Sequence, residues 1–272
     1  MDLGAPFAAM RFKDKVMVVT GAARGIGFAT ARLAALEGAL VVIGDLDGQS
    51  VDAAVQGITA EGGRALGVVG DVCSQSQVIR NVEQVMQAFG RIDVLVNNAA
   101  SFSHKSAAEL SEQQWRRELD VCLTGAFLWS QAAAVASMIP RREGAIVNVG
   151  SGAALAGMPH AAGYIAAKHG VVGLTKALAV DWGQYGIRVN CVCPGFTWTD
   201  LARKGAETNP EMMRQRVARI PLGAGAQPDE QAHAILFLAS AQAGAISGVA
   251  LPVDGGTLAL SSGYSAPRDG MT

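Results

Sequence analysis

Short apolar runs alternate along this chain with longer stretches of helical spacing. Lys15-Val16-Met17-Val18-Val19 is apolar and β-branched at consecutive positions, the pattern of a strand buried on both faces. Ala29 to Leu36, rich in Ala and Leu, reads as the helix that follows it. The same alternation continues through a strand at Leu40 to Asp45, a helix at Gln49 to Glu61 and a strand at Ala65 to Asp71. A helix from an N-cap at Ser74 to Phe89 leads to a strand at Ile92 to Asn97. Ser111 to Met138 is one long helical stretch, opened by Ser111-Glu112-Gln113-Gln114, close to a capping box. Gly144 to Ser151 reads as a strand, Gly163 to Tyr185 as a helix, Ile187 to Cys193 as a strand and Leu251 to Val253 as a last short strand. Regular alternation of this kind predicts an α/β fold, a doubly wound and mostly parallel seven-stranded sheet with helices on both faces. Without an internal repeat or a shift in composition, residues 1–272 read as a single domain. Residues 1–11 read as an N-terminal extension and 261–272 as a loose Gly- and Ser-rich tail.

Composition narrows the picture. Half of the 272 residues are hydrophobic, enough for a sizeable core. The net charge is −1, from 22 basic and 23 acidic residues, so neither nucleic acid nor an anionic membrane is expected as a partner. No run approaches about 18 uninterrupted apolar residues, and residues 1–14 lack a signal-peptide pattern, so a soluble, cytoplasmic protein is expected. Cys73, Cys122, Cys191 and Cys193 lack metal-ligand spacing and read as reduced thiols; no metal is expected.

Between the first strand and its helix lies Thr20-Gly21-Ala22-Ala23-Arg24-Gly25-Ile26-Gly27, spaced Gly-x3-Gly-x-Gly. Free N–H groups at a helix start attract an anion, and glycines let a pyrophosphate approach the backbone. Asp45 ends the second strand, where a carboxylate can bind both ribose hydroxyls of an adenosine. It also repels a 2′-phosphate, at a cost of about 3 kcal/mol for ~5 Å and an effective dielectric of ~20. Arg24 acts the other way, but Asp45 acts on the discriminating group directly, so NAD is expected over NADP. Asp71 and Val72 close the third strand, where an adenine can lie. Together these features make the sheet Rossmann-like.

Tyr164 and Lys168 are four residues apart on one helix face, 13 and 17 positions after Ser151. A free phenol is a poor base at neutral pH, but a lysine ammonium at ~4 Å favours a phenolate by about 4 kcal/mol. Ser151 can hydrogen-bond a substrate oxygen while Tyr164 exchanges its proton. With Asp71, Asn97-Asn98-Ala99, Arg188-Val189-Asn190 and Pro194-Gly195, the chain from Phe12 to Thr257 resembles the short-chain dehydrogenase/reductase family. The resemblance implies Tyr164 as acid/base, Ser151 as substrate-orienting group and Lys168 as a second ribose ligand. Pro194 and Gly195 would bind the cofactor, and the residues after them, near Thr197 and Thr199, would meet the nicotinamide carboxamide. The expected cofactor contacts are these together with Gly21, Arg24, Gly25, Ile26, Gly27, Asp45, Asp71, Val72, Asn98 and Tyr164. The family also implies a homotetramer, with the helices at 111–138 and 163–185 packed between subunits.

Two positions depart from the family. Ala100 replaces the Gly that usually ends Asn-Asn-Ala-Gly. Cys122 stands where the family usually has an Asn that holds a water linking the catalytic lysine to solvent. A thiol hydrogen-bonds poorly, so a catalytically weak NAD-binding regulatory protein is an alternative, as is an NADP-dependent ketone reductase. Enoyl reduction fits less well, because the family's enoyl reductases usually space Tyr and Lys more widely. His160 is a candidate for the substrate pocket, with Phe196 and Trp198; His104, His169 and His233 have no evident partner. Thr197 to Ile220 resembles the family's lid, and its basic excess reads as a solvated helix face. The expected reaction interconverts a secondary alcohol, such as a sugar, polyol or cyclic alcohol, and its ketone.

Overall fold

A computed structural model gives the structure of the chain, described for residues 10–260. The strands are β1 (Val16–Thr20), β2 (Leu40–Asp45), β3 (Arg64–Val69), β4 (Val94–Asn97), β5 (Gly144–Val149), β6 (Ile187–Pro194) and β7 (Ala250–Val253). They form one sheet in the order β3-β2-β1-β4-β5-β6-β7, and every pairing is parallel. The helices are α1 (Gly25–Leu36), α2 (Gly48–Ala60), α3 (Gln75–Phe89), α4 (Glu112–Arg141), α5 (Ala162–Gly183), α6 (Asp200–Thr208), α7 (Pro210–Ala218) and α8 (Pro228–Ala239).

Successive strand residues face opposite layers, which is why the strands are apolar throughout. Met17, Val19, Val41 and Ile43 join α1, α2 and α8 in one core; Val16, Val18, Val42 and Leu95 join α3, α4 and α5 in the other. A buried polar chain crosses the second layer. The Asn97 amide donates to Asn148 Oδ1 at 2.8 Å and Ser130 Oγ at 2.9 Å, and Asn148 donates to Thr175 Oγ1 at 2.9 Å. In a low-dielectric interior such bonds reward one register and penalise a slip, so they seat α4 and α5 on β4 and β5. The chain leaves the sheet edge at β3 and re-enters beside β1 as β4. The connections after β1 and β4 therefore diverge, and a crevice opens at the carboxyl ends of the strands.

The expected order of elements stands through β6, with shifts at their ends, whereas α8, whose Ile235, Leu236 and Leu238 enter the core, has no counterpart among the expected elements. α1 starts at Gly25 rather than Ala29, and β3 ends at Val69, which leaves Asp71 in the following turn. Ser111 and Gln114 form the full capping box, whereas the Ser74 hydroxyl meets Ser76 and accepts no backbone N–H at its helix start. α4 is continuous but carries two π-turns, Asp120–Thr124 and Ala134–Met138. α4 is also long and apolar enough to cross a membrane by composition; half of its most apolar window is buried, with Trp129, Ala133 and Met138 packed in the sheet's core. Most of the expected N-terminal extension and the whole tail at 261–272 lie outside the described residues.

Candidate active site

The dinucleotide cradle follows from where α1 begins. Because the helix starts inside the glycine loop, its first N–H groups, unpaired within the helix, fall at Gly25 and the residues after it. Gly21 has φ +61°, and a Cβ there would stand 2.8 Å from Ala99 Cα; at Gly27 it would stand 2.4 Å from the Gly21 carbonyl. Ile26 packs its side chain against the core, which leaves only its backbone for a ligand. The loop is pinned from β4. Asn98 donates to the carbonyls of Thr20 at 3.0 Å and Gly21 at 2.8 Å, and the Thr20 hydroxyl accepts from the N–H groups of Asn98 and Ala99. The Asn98 amide nitrogen, on a residue expected at the cofactor, is thus spent on holding the loop, while the residue lines the cavity.

That cavity, of about 330 Å³, is lined by Arg24, Asp45, Asp71, Val72, Asn98 and Arg117 among others. Asp45 accepts from Ala23 N at 3.2 Å and Leu46 N at 2.8 Å, one bond per oxygen, and each oxygen keeps a second lone pair for a ligand. Asp71 accepts from Cys73 N and from Arg117 Nη1, both at 3.0 Å. Burial pushes the Asp71 carboxyl up, but these donors outweigh it and hold it below its ordinary value. A Cβ-free turn at a helix start, beside a carboxylate one strand over, fits a pyrophosphate and a vicinal diol; the residues present suit a nicotinamide dinucleotide.

Ser151 lies two residues beyond β5, where its hydroxyl caps the turn Gly152–Ala154 by accepting from Ala153 N at 3.1 Å. Tyr164 and Lys168 stand in the first two turns of α5. Lys168 is buried, donates to the Val149 carbonyl at 2.6 Å and lies 5.7 Å from the Tyr164 ring centroid. Burial pushes the Lys168 ammonium down, and the anionic forms of Cys122 and Tyr164 push it up; the net direction is up. Among the described residues no side chain or backbone group hydrogen-bonds the Tyr164 hydroxyl, which leaves it for a substrate. Cys122 sits buried in the first π-turn of α4, where its thiol pairs weakly with the Ser101 backbone N–H at 3.4 Å and carbonyl at 3.5 Å.

A second cavity, of about 560 Å³, adjoins Ser151, Pro194 and Gly195, with Met158, Phe196 and Leu258 as apolar walls. Arg216 and Arg219 also line it, although the basic excess of this stretch reads as a solvated face. Trp198 does not line it: its ring packs edge-on against Phe196 at 4.7 Å and faces clefts on the far side, beside Phe28 and Met213. His160 does not line it either. Its backbone is left-handed (φ 57°), and its exposed ring lies 5.6 Å from that of His104. His104 neighbours Phe102, whose ring is 5.1 Å from Tyr164. Thr197 is buried and donates to the Gly195 carbonyl, while Thr199 caps α6 and flanks Gly25 in a side cleft. The sequence carries no signal for Glu118, whose buried carboxylate accepts from Ser103 N at 2.6 Å and ties the Phe102 loop to α4.

A dinucleotide crevice beside a serine, a tyrosine and a buried lysine defines a nicotinamide-dependent oxidoreductase. A family profile described as enoyl-(acyl carrier protein) reductase matches residues 21–257. The chain is 38% identical to 2-(S)-hydroxypropyl-CoM dehydrogenase 3 of Xanthobacter autotrophicus, over 92% of this chain and 99% of that one. It is 42% identical to cis-4-hydroxycyclohexanecarboxylate dehydrogenase of Sinomonas cyclohexanicum, over 92% and 98%. It also resembles a solved structure of a proposed NAD(P)-dependent gluconate 5-dehydrogenase from Beutenbergia cavernae, with NADP bound at low occupancy: TM-score 0.87, 36% identity, 93% and 100% coverage. The chain belongs to the short-chain dehydrogenase/reductase family, and it is an oxidoreductase acting on CH–OH groups.

Proposed function

We propose that the protein oxidises a secondary alcohol to a ketone, and the reverse, with NAD as the cofactor, and that its substrate is a sugar, polyol or cyclic alcohol. The carrying observation is Ser151 on the wall of the second cavity, Tyr164 with the buried Lys168 ammonium 5.7 Å from its ring centroid, and Asp45 in the first cavity. In this reading Ser151 donates a hydrogen bond to the substrate oxygen and Tyr164 takes or returns the hydroxyl proton. Lys168, held by Val149, keeps a positive charge beside the phenol and reaches the ribose. The dinucleotide, when bound, accepts or supplies hydride. Asp45 supports NAD by repelling a 2′-phosphate, and Arg24 in the same cavity is what favours the NADP alternative. A panel of secondary alcohols and ketones, assayed with each dinucleotide by cofactor absorbance, tests both points. No turnover on any member would overturn the catalytic reading in favour of a regulatory NAD-binding protein.

Assembly as a homotetramer is part of the same proposal. Val135 on α4 and Val180 on α5 are 62% and 80% exposed, so the outer faces of these helices hold apolar surface that a second copy would cover. A single monomeric species by light scattering at micromolar concentration would rule this out.

A further inference from the structure

We propose that the substrate carries an oxyanion, a carboxylate in the simplest case, held by Arg216 and Arg219; this rests on the alcohol–ketone reading above. The two arginines lie three residues apart at the end of α7, and both line the cavity that Ser151 lines. Arg214, on the same helix, has its charge matched by Glu211, and Arg203 donates to Gln227 Oε1 at 3.0 Å. Among the described residues neither Arg216 nor Arg219 has a carboxylate within ion-pair distance. A solvated helix face would send all its cations to water, whereas these two turn to the cavity.

The other walls sharpen the choice of ligand. The Arg216 guanidinium lies 5.1 Å from the Phe196 ring centroid, which restrains it on an aromatic face. The residue as a whole is exposed, yet burial of its guanidinium end draws its pKa down from the ordinary arginine value. Asp254 is also in this lining, its oxygens accepting from Gly256 N at 2.9 Å and Leu258 N at 2.8 Å, so its one negative charge stands against the two guanidinium charges and the lining stays net positive. A guanidinium offers donors only. A neutral polyol needs acceptors as well as donors, whereas a carboxylate takes donors alone. Two cations against one carboxylate, with a serine hydroxyl and apolar walls, therefore match a hydroxy acid with an apolar middle better than an uncharged polyol.

The test compares lactate, 3-hydroxybutyrate, 4-hydroxypentanoate and gluconate with their carboxamides, using NAD-loaded enzyme. At least one acid is expected to exceed its amide in kcat/KM by about tenfold or more, the size of a charge-assisted hydrogen bond. Arg216→Gln and Arg219→Gln are each expected to lower kcat/KM for that acid by about tenfold and leave the amide within about twofold. Arg214→Gln should change neither. Amides as good as the acids, or variants that depress both alike, would overturn the oxyanion subsite while leaving the alcohol–ketone reading intact. If no alcohol is turned over, that reading fails, and calorimetric binding of the same acids to the NAD-loaded protein decides the subsite. Binding of acid but not amide, lost in Arg216→Gln, supports it; no acid binding overturns it.

Discussion

At the amino ends of the strands, Asp93 is enclosed by its own chain. Its carboxylate accepts from Val16 N at 2.9 Å and from Arg141 at 2.7 Å, is bonded by Arg91 and has the Lys15 ammonium at 3.7 Å. At the carboxyl ends, Asp45 accepts two backbone N–H groups and meets no cation within ion-pair distance among the described residues. Both residues terminate sheet connections and both are acids. The first has spent its capacity on holding β1, β4 and α4 together, and the second keeps capacity for a ligand. Tyr164 and Ser151 follow Asp45 in this respect. A parallel sheet thus separates stability from function by placing satisfied charge at one end and unsatisfied groups at the other.

The contrast breaks most sharply at Tyr164. Tyr164→Phe is expected to lower kcat by about a thousandfold, within the range of a lost general acid/base, with melting temperature and dinucleotide affinity close to wild type. Turnover retained within tenfold would move the proton transfer elsewhere. Asp93→Asn should do the reverse: stability falls by about 3 kcal/mol at neutral pH, while kcat per folded molecule stays within about twofold. Burial pushes the Asp93 carboxyl up, but Arg91, Val16 and Arg141 together hold it below the ordinary carboxylate range. Because the folded value is depressed, its stabilisation is present above the unfolded value and lost as pH falls through the folded one. The difference in melting temperature between wild type and Asp93→Asn should therefore narrow below about pH 4. A constant difference from pH 7 to pH 3 would contradict the assignment.

Asp45→Ala probes the open end more gently. A charge repulsion of about 3 kcal/mol corresponds to roughly a hundredfold preference for NAD over NADP, which the variant should largely lose. Equal affinities in the wild type would mean that Arg24 dominates. The smallest effect belongs to Cys122. Its thiol makes only long contacts with Ser101, so Cys122→Ser and Cys122→Asn should keep kcat within about twofold of wild type or above it. Abolition of turnover by Cys122→Ser with the fold intact would give the thiol a chemical role.

What could be read from the chain was what repeats locally. Consecutive apolar positions mark each strand, and a four-residue spacing puts Tyr164 and Lys168 on one face, because both depend on neighbours a few residues away. The start of α1 at Gly25 was not legible, since Gly disfavours a helix interior and the loop before it takes its shape from bonds to distant residues, Gly44, Asp45 and Asn98. The π-turn at Cys122 has no sequence period. Placing Trp198 and His160 outside the Ser151 cavity, and Arg216 and Arg219 within it, needed the path of the chain across tens of residues. His104 met His160 for the same reason, through a bridge between Lys105 and Ala161.

The pinning of the glycine loop by Asn98 also has a kinetic side. The bonds between Thr20 and Asn98 join residues 78 apart, and β4 reaches β1 only after the chain has run out to β3 and back. Closing a loop of that length is slow compared with forming helices α1 to α3, which need only near neighbours. Until β4 docks, the glycine loop lacks the Asn98 bonds and is held only from β2, through Ala22 and Ala23. Dinucleotide affinity should therefore appear late in refolding, with the last phase that joins the two halves of the sheet, well after the helical signal has returned.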